Sequence, residues 1–65
     1  SVEQDRADTD LGLADQMARV ERSLLIAALS RAEGRAALAA ERLKLPRKTF
    51  YDKLARYGLR PDDFR

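Results

Sequence analysis

Residues 34–59, GRAALAAERLKLPRKTFYDKLARYGL, constrain the fold more than any other part of the chain. They place a glycine, a short alanine-rich segment, a three-residue corner, a proline and a basic amphipathic segment in that order, and close on a second glycine. The Leu43-Lys44-Leu45 corner leads into Pro46, whose fixed φ suits the first turn of a new helix. Gly58 stands where a left-handed residue would end that helix. The layout is helix, turn, helix. The first of the two helices is too short to be stable alone, and Ala36, Ala37, Ala39 and Ala40 would let another helix approach closely.

The neighbour is expected upstream. A long first helix should begin between Asp10 and Leu13, with Thr9 or Asp10 as N-cap and Asp15 in its first turn, and run to about Ala32, with Gly34 as terminator. Leu13, Met17, Val20, Leu24 and Ala27 repeat at spacings of 4, 3, 4 and 3, a seam on one side of a helix. Leu25, Ile26, Ala28 and Leu29 widen the apolar surface beyond what one helix-turn-helix can cover. Leu13, Met17, Val20, Leu24, Leu25 and Ala28 are therefore the expected dimer interface. The second helix should span Arg35 or Ala36 to Leu43, burying Ala36, Ala39, Ala40 and Leu43. The third should span Pro46 or Arg47 to Tyr57, with Phe50, Leu54 and Tyr57 inward. With Gly58 at C′, Leu54 and Leu59 form the hydrophobic pair of a Schellman ending, and Pro61 forbids continuation.

Size and composition agree with a helical dimer. The 65 residues make one domain, and a core of this size supplies only about 3–5 kcal/mol. There is no cysteine for a disulfide and no histidine, which excludes the usual N/S zinc site. Tight helix packing or oligomerisation must stabilise the fold. No apolar run is long enough to span a membrane, no signal peptide appears, and the lack of cysteine fits a reducing cytoplasm. The first ten residues, SVEQDRADTD, carry four acids and one sizeable apolar residue and read as a flexible acidic linker. With Ser1 at the start, the chain is expected to be a piece of a longer protein, its residues 11–65 forming one helix-turn-helix and dimerisation domain.

Charge is distributed unevenly. Residues 1–34 hold four basic and seven acidic side chains, residues 35–65 nine basic and four acidic, a contrast that points to a polyanionic partner for one face. On the third helix, at about 100° per residue, burial of Phe50, Leu54 and Tyr57 turns Lys48, Asp52 and Ala55 outward. Arg47 and Tyr51 fall on one shoulder, Thr49, Lys53 and Arg56 on the other. Arg47, Lys48, Tyr51 and Asp52 lie near the helix N-terminus, the part of a recognition helix that reaches base edges. Arg47 has the fork for guanine O6 and N7, and Asp52 the acceptor for cytosine N4. Thr49, Lys53 and Arg56 form a donor strip suited to phosphate oxygens. The bland alternative is a solvated face with Asp52 and Arg56 as an i,i+4 pair; the turn and the alanine-rich helix beside it weigh against that.

Catalysis finds no support, because there is no His or Cys and no glycine-rich phosphate loop, and Ser23 and Ser30 lie in a predicted helix without a base. The chain is not expected to be an enzyme. No cofactor is implied. Met17 reads as a core or dimer filler, and the N-terminal acids lack the spacing of a calcium loop.

The stretch from Val20 to Leu59 resembles the Fis-type DNA-binding domain at the C-terminus of bacterial enhancer-binding proteins, the NtrC family of activators for sigma-54 RNA polymerase. The match is carried by Glu21, Ile26, Ala28-Leu29, Gly34, Ala39-Ala40, Leu43, Leu45, Arg47, Thr49, Tyr51, Lys53-Leu54 and Gly58-Leu59, over about two-thirds of the chain. The resemblance implies an all-α homodimer whose long first helices pair and present two helix-turn-helix units to double-stranded DNA. It also implies an upstream AAA+ ATPase, a receiver domain before it in a two-component system, and sigma-54 RNA polymerase as partner of the parent protein. By the same resemblance Arg47 contacts DNA, Thr49 contacts backbone and Lys53 faces phosphate. Two positions depart from the family pattern. Arg35 replaces an asparagine that caps the second helix, a loss of about 1 kcal/mol, while keeping a possible phosphate contact. Lys44 replaces a turn glycine, so either a left-handed lysine, at about 1–2 kcal/mol, or a slightly remodelled turn is expected there. The competing reading is an assembly module whose apolar first helix oligomerises the parent and whose basic helix docks on an acidic protein, without specific DNA readout.

Overall fold

The computed structural model describes residues 11–65 and contains three α-helices followed by one 3-10 turn: α1 Leu13–Arg31, α2 Ala36–Arg42, α3 Arg47–Tyr57, and the turn Pro61–Phe64. The described residues are all-helical, in the expected order. The expected linker, residues 1–10, lies outside the described residues, as do the expected caps Thr9 and Asp10. The N-cap of α1 is Gly12, which has no side chain to bond. Instead the Gln16 side-chain amide donates to the Leu11 carbonyl at 2.7 Å, tying the entering chain to the first turn.

All three helices stop in the same way. Each ends on a left-handed residue, the one after the cap in α1 and α2 and the cap itself in α3, whose N–H returns to the third carbonyl back, and the next N–H returns to the fifth. At α1 the left-handed residue is Glu33 (φ 54°), with Glu33 N–H on Ser30 at 3.1 Å and Gly34 N–H on Leu29 at 2.9 Å. At α2 it is Lys44 (φ 57°), with bonds to Glu41 at 3.0 Å and from Leu45 to Ala40 at 2.9 Å. At α3 it is Gly58 (φ 66°), with bonds to Ala55 at 3.2 Å and from Leu59 to Leu54 at 2.9 Å. The expectation for α1 is thus off by one: Glu33 takes the terminating position, and Gly34, also left-handed at φ 82°, follows it. Pro46 is the N-cap of α3 rather than its first helical residue.

Lys44 is exposed and strained, as its position in the turn required. Lys44→Gly is expected to stabilise the domain by about 1 kcal/mol, because glycine takes this φ without a Cβ penalty. The thermal midpoint should rise by about 4–8 °C. A fall in the midpoint would mean that unfolded-state entropy outweighs the strain relieved.

The core is a three-way junction. Leu25, Ala28, Leu29 and Ala32 come from α1 and its cap, Ala36, Ala39 and Ala40 from α2, and Phe50 and Leu54 from α3. The alanines of α2 leave no bulk between it and α1, so the large side chains Leu25, Leu29, Phe50 and Leu54 fill the centre without any buried polar group among the described residues. Leu25 and Ala28, expected at the dimer seam, are thereby used within the single chain. The other four seam residues are not: Leu13, Met17, Val20 and Leu24 stay 74%, 58%, 52% and 56% exposed. α1 therefore carries two apolar stripes, one packed and one bare.

The chain does not simply stop after Pro61. The turn Pro61–Phe64 folds back, Phe64 packs against the core, and Pro61 and Arg65 close over the buried Gly34. Pro61 supplies the fixed φ that opens this turn, and the local sequence alone had shown only that α3 ends.

Candidate nucleic-acid interface

α3 presents its polar side as the spacing required. Phe50 and Leu54 are buried and Tyr57 is partly buried, while Arg47, Lys48, Tyr51, Asp52, Ala55 and Arg56 are exposed. Arg47 is the first helical residue, directly after the Pro46 cap, so it and Lys48 stand at the end where helix amide groups point outward. Tyr51 is held by an edge-on contact with the Phe50 ring, centroids 6.3 Å apart, and leaves half its surface to solvent. Among the described residues Asp52 forms no ion pair with Arg56. Arg56 instead lies 5.4 Å from the Tyr57 ring centroid, in cation–π range. Arg47, Lys48, Tyr51 and Asp52 thus form one open polar face, free to meet a partner.

The other shoulder is tied down. The Lys53 ammonium donates to Glu21 Oε2 at 2.7 Å, and the Tyr57 hydroxyl donates to Glu21 Oε1 at 2.6 Å. Thr49 is half-buried. Glu21 lies one turn before Leu25, so it extends the packed stripe of α1 to meet α3. The Lys53 hydrogen bond first, and the Tyr57 hydroxyl second, hold the Glu21 carboxyl below its ordinary range. The hydrogen bond that the Tyr57 hydroxyl donates to Glu21, which ionisation would break, raises that hydroxyl above its ordinary value, with partial burial as the second cause. For Glu21 the sign follows: the folded state binds its proton less readily, so this contribution to stability is present above the unfolded carboxyl's pKa and is lost as pH falls through the lowered folded one.

Glu21 was legible in the sequence only as one residue of the family match. A signal existed: Lys53 and Tyr57, four apart, form a pair of donors on one helix face, and such a pair suits one carboxylate. Identifying that carboxylate needed the packing of α1 against α3. Arg35 is the N-cap of α2, extended at φ −82° and without a side-chain capping bond, as its replacement of asparagine implied. It stands at the α1–α2 corner, exposed, apart in sequence from the α3 face. No cluster of metal-binding side chains occurs among the described residues, and none of the described helices is long and apolar enough to cross a membrane.

Comparison with known proteins agrees with this geometry. Residues 16–57 match the family model for bacterial regulatory proteins of the Fis family. The chain is 42% identical over 55 residues to the C4-dicarboxylate transport transcriptional regulatory protein DctD of Pseudomonas aeruginosa. That alignment takes in 85% of this chain and 12% of the relative, so the chain spans a small part of its relative's length. No solved structure matches the chain significantly. The matched segment runs from the first turn of α1 through the whole helix-turn-helix to the last residue of α3, and on these grounds the chain belongs to the Fis family of bacterial regulatory proteins, as a DNA-binding helix-turn-helix domain of a transcriptional regulator.

Proposed function

We propose that the chain binds double-stranded DNA sequence-specifically, as a homodimer, and is the operator- or enhancer-binding module of a sigma-54-dependent bacterial transcriptional activator in the cytoplasm. The observation that carries the reading is the open face of α3, where Arg47, Lys48, Tyr51 and Asp52 are exposed together on a helix held rigid by Phe50 and Leu54. Homodimerisation is supported by the bare stripe of Leu13, Met17, Val20 and Leu24, since four large apolar residues on one helix side make a contiguous surface that favours burial. The sigma-54 polymerase, the ATPase and the receiver domain follow from the family resemblance of Val20 to Leu59, and would belong to the parent protein. The chain itself is proposed to bind without catalysing a reaction.

Duplex binding measured against salt tests this. Specific affinity that falls with salt and exceeds non-specific affinity by about 10³-fold or more, with a footprint of two half-sites, is the expected result. Salt-dependent binding without sequence preference would favour the assembly module. Arg47→Ala should weaken binding by about 1–3 kcal/mol and relax base preference at one position in each half-site. Lys53→Ala should weaken the site and its single-base variants alike, and reduce the salt slope by about one unit. If both variants alter the base-preference profile in the same way, the division between a reading shoulder and a phosphate shoulder is wrong.

A further inference from the structure

Among the described residues Lys53 is the one basic residue of α3 that the fold pairs with a carboxylate, through Glu21. The pair is not sealed off. About 29% of the Lys53 side chain and 33% of the Glu21 side chain remain exposed, and Lys53 has no second acceptor among the described residues. One ammonium N–H is aimed at Glu21 and two are left for a ligand. Glu21 is itself pinned from the other side by the Tyr57 hydroxyl, so the carboxylate that holds the lysine is held in turn.

We propose that Glu21 is a positioning residue that sets DNA specificity: its carboxylate aims the Lys53 ammonium at one backbone phosphate and withholds it from phosphates elsewhere. The inference rests on the DNA-binding reading above. A free lysine adds affinity to every sequence, because it follows any phosphate. A lysine fixed by a carboxylate behaves differently. In the complex whose register brings a phosphate to the ammonium, a long side chain is already ordered, and binding need not immobilise it. In a sliding, non-specific complex no phosphate has a fixed place, so that ordering gains nothing. The Glu21 charge, meanwhile, repels phosphates and offsets the lysine. The pair therefore favours the registered complex over the others.

Two variants separate charge from orientation. Binding is read by fluorescence anisotropy on a duplex selected from a random library with the wild-type chain, and on an unselected duplex of equal length, with circular dichroism as the check on folding. Glu21→Gln removes the charge: affinity for the unselected duplex should rise and that for the selected duplex should change less, so their ratio falls by about three- to tenfold. Tyr57→Phe leaves the charge and frees the carboxylate. Unselected binding should then stay constant while selected binding falls about twofold or more, a response that helix loosening, which lowers both in proportion, does not give. In a Lys53→Ala background Glu21→Gln should lose most of its effect on the ratio. A ratio unchanged in both variants, or an effect of Glu21→Gln undiminished without Lys53, overturns the proposal. Should Glu21→Gln not fold, Tyr57→Phe decides alone. A wild type that selects no sequence from the library overturns the proposed function, and this inference with it; a selective wild type with ratio-preserving variants overturns this inference only.

Discussion

Leu24→Glu is expected to give a folded monomer and Leu25→Glu an unfolded chain, although the two residues are neighbours. Leu24 is 56% exposed on the bare stripe of α1, whereas Leu25 is 2% exposed among Leu29, Phe50 and Leu54. A carboxylate at Leu24 stays in water in the single chain and is desolvated only where a second copy covers the stripe. At Leu25 it is buried by the fold itself, with no partner, at several kcal/mol. That is comparable with the whole stability of about 3–5 kcal/mol that a core of this size supplies. Sedimentation and far-ultraviolet circular dichroism distinguish the outcomes. The Leu24 variant should also lose the dependence of its thermal midpoint on concentration, and its DNA affinity should fall about 10²-fold or more as the second half-site is no longer engaged by a tethered partner. A wild type that is already a stable monomer at high micromolar concentration would remove the basis for the dimer.

Gly34→Ala is expected to destabilise the domain by about 2–4 kcal/mol, the sum of left-handed strain and overpacking. Gly34 has φ 82°, and a Cβ there would lie 2.6 Å from the Pro61 carbonyl oxygen and 2.6 Å from Arg65 Cγ. Arg65 can swing aside, being a flexible side chain. Pro61 O is backbone, so the turn Pro61–Phe64 would have to lift, and Phe64 would lose its contact with the core. Gly58→Ala is the control: φ is similarly left-handed at 66°, but nothing lies within 4 Å of a Cβ, so only strain of about 1–2 kcal/mol applies. The excess at Gly34 measures the docking of the C-terminal turn. Equal losses at the two glycines would show that the turn contributes nothing.

The contrast between these positions marks where sequence reading succeeds. Helix spans were legible because their signals act within a turn or two of the chain: the 3- and 4-residue spacing of Phe50, Leu54 and Tyr57, the fixed φ of Pro46, the left-handed Gly58 with its Leu54–Leu59 pair. The left-handed Lys44 was legible through the family resemblance, as the residue that stands in place of a turn glycine. Gly34 was read as a terminator and proved to be the residue after it, because a glycine can be demanded by space as well as by φ, and the space here is set by Pro61 and Arg65, which lie far along the chain.

By itself, then, the sequence determined the three helices, the ends of α2 and α3, the inward stripe of α3 and the outward face of Arg47, Lys48, Tyr51 and Asp52, since periodicity and turn chemistry are local. Only the tertiary structure decided how α1 divides its apolar surface. Leu25 and Ala28 look no different from Leu24 as residues along a greasy helix, and which of them meets Ala36, Ala39 and Phe50 depends on the angle at which α2 and α3 cross it. The same holds for Lys53. Its spacing placed it on a phosphate-facing shoulder, but its neighbour Glu21 is 32 residues away, and a charge pair across two helices exists only once their packing has brought the carboxylate and the ammonium to hydrogen-bonding distance.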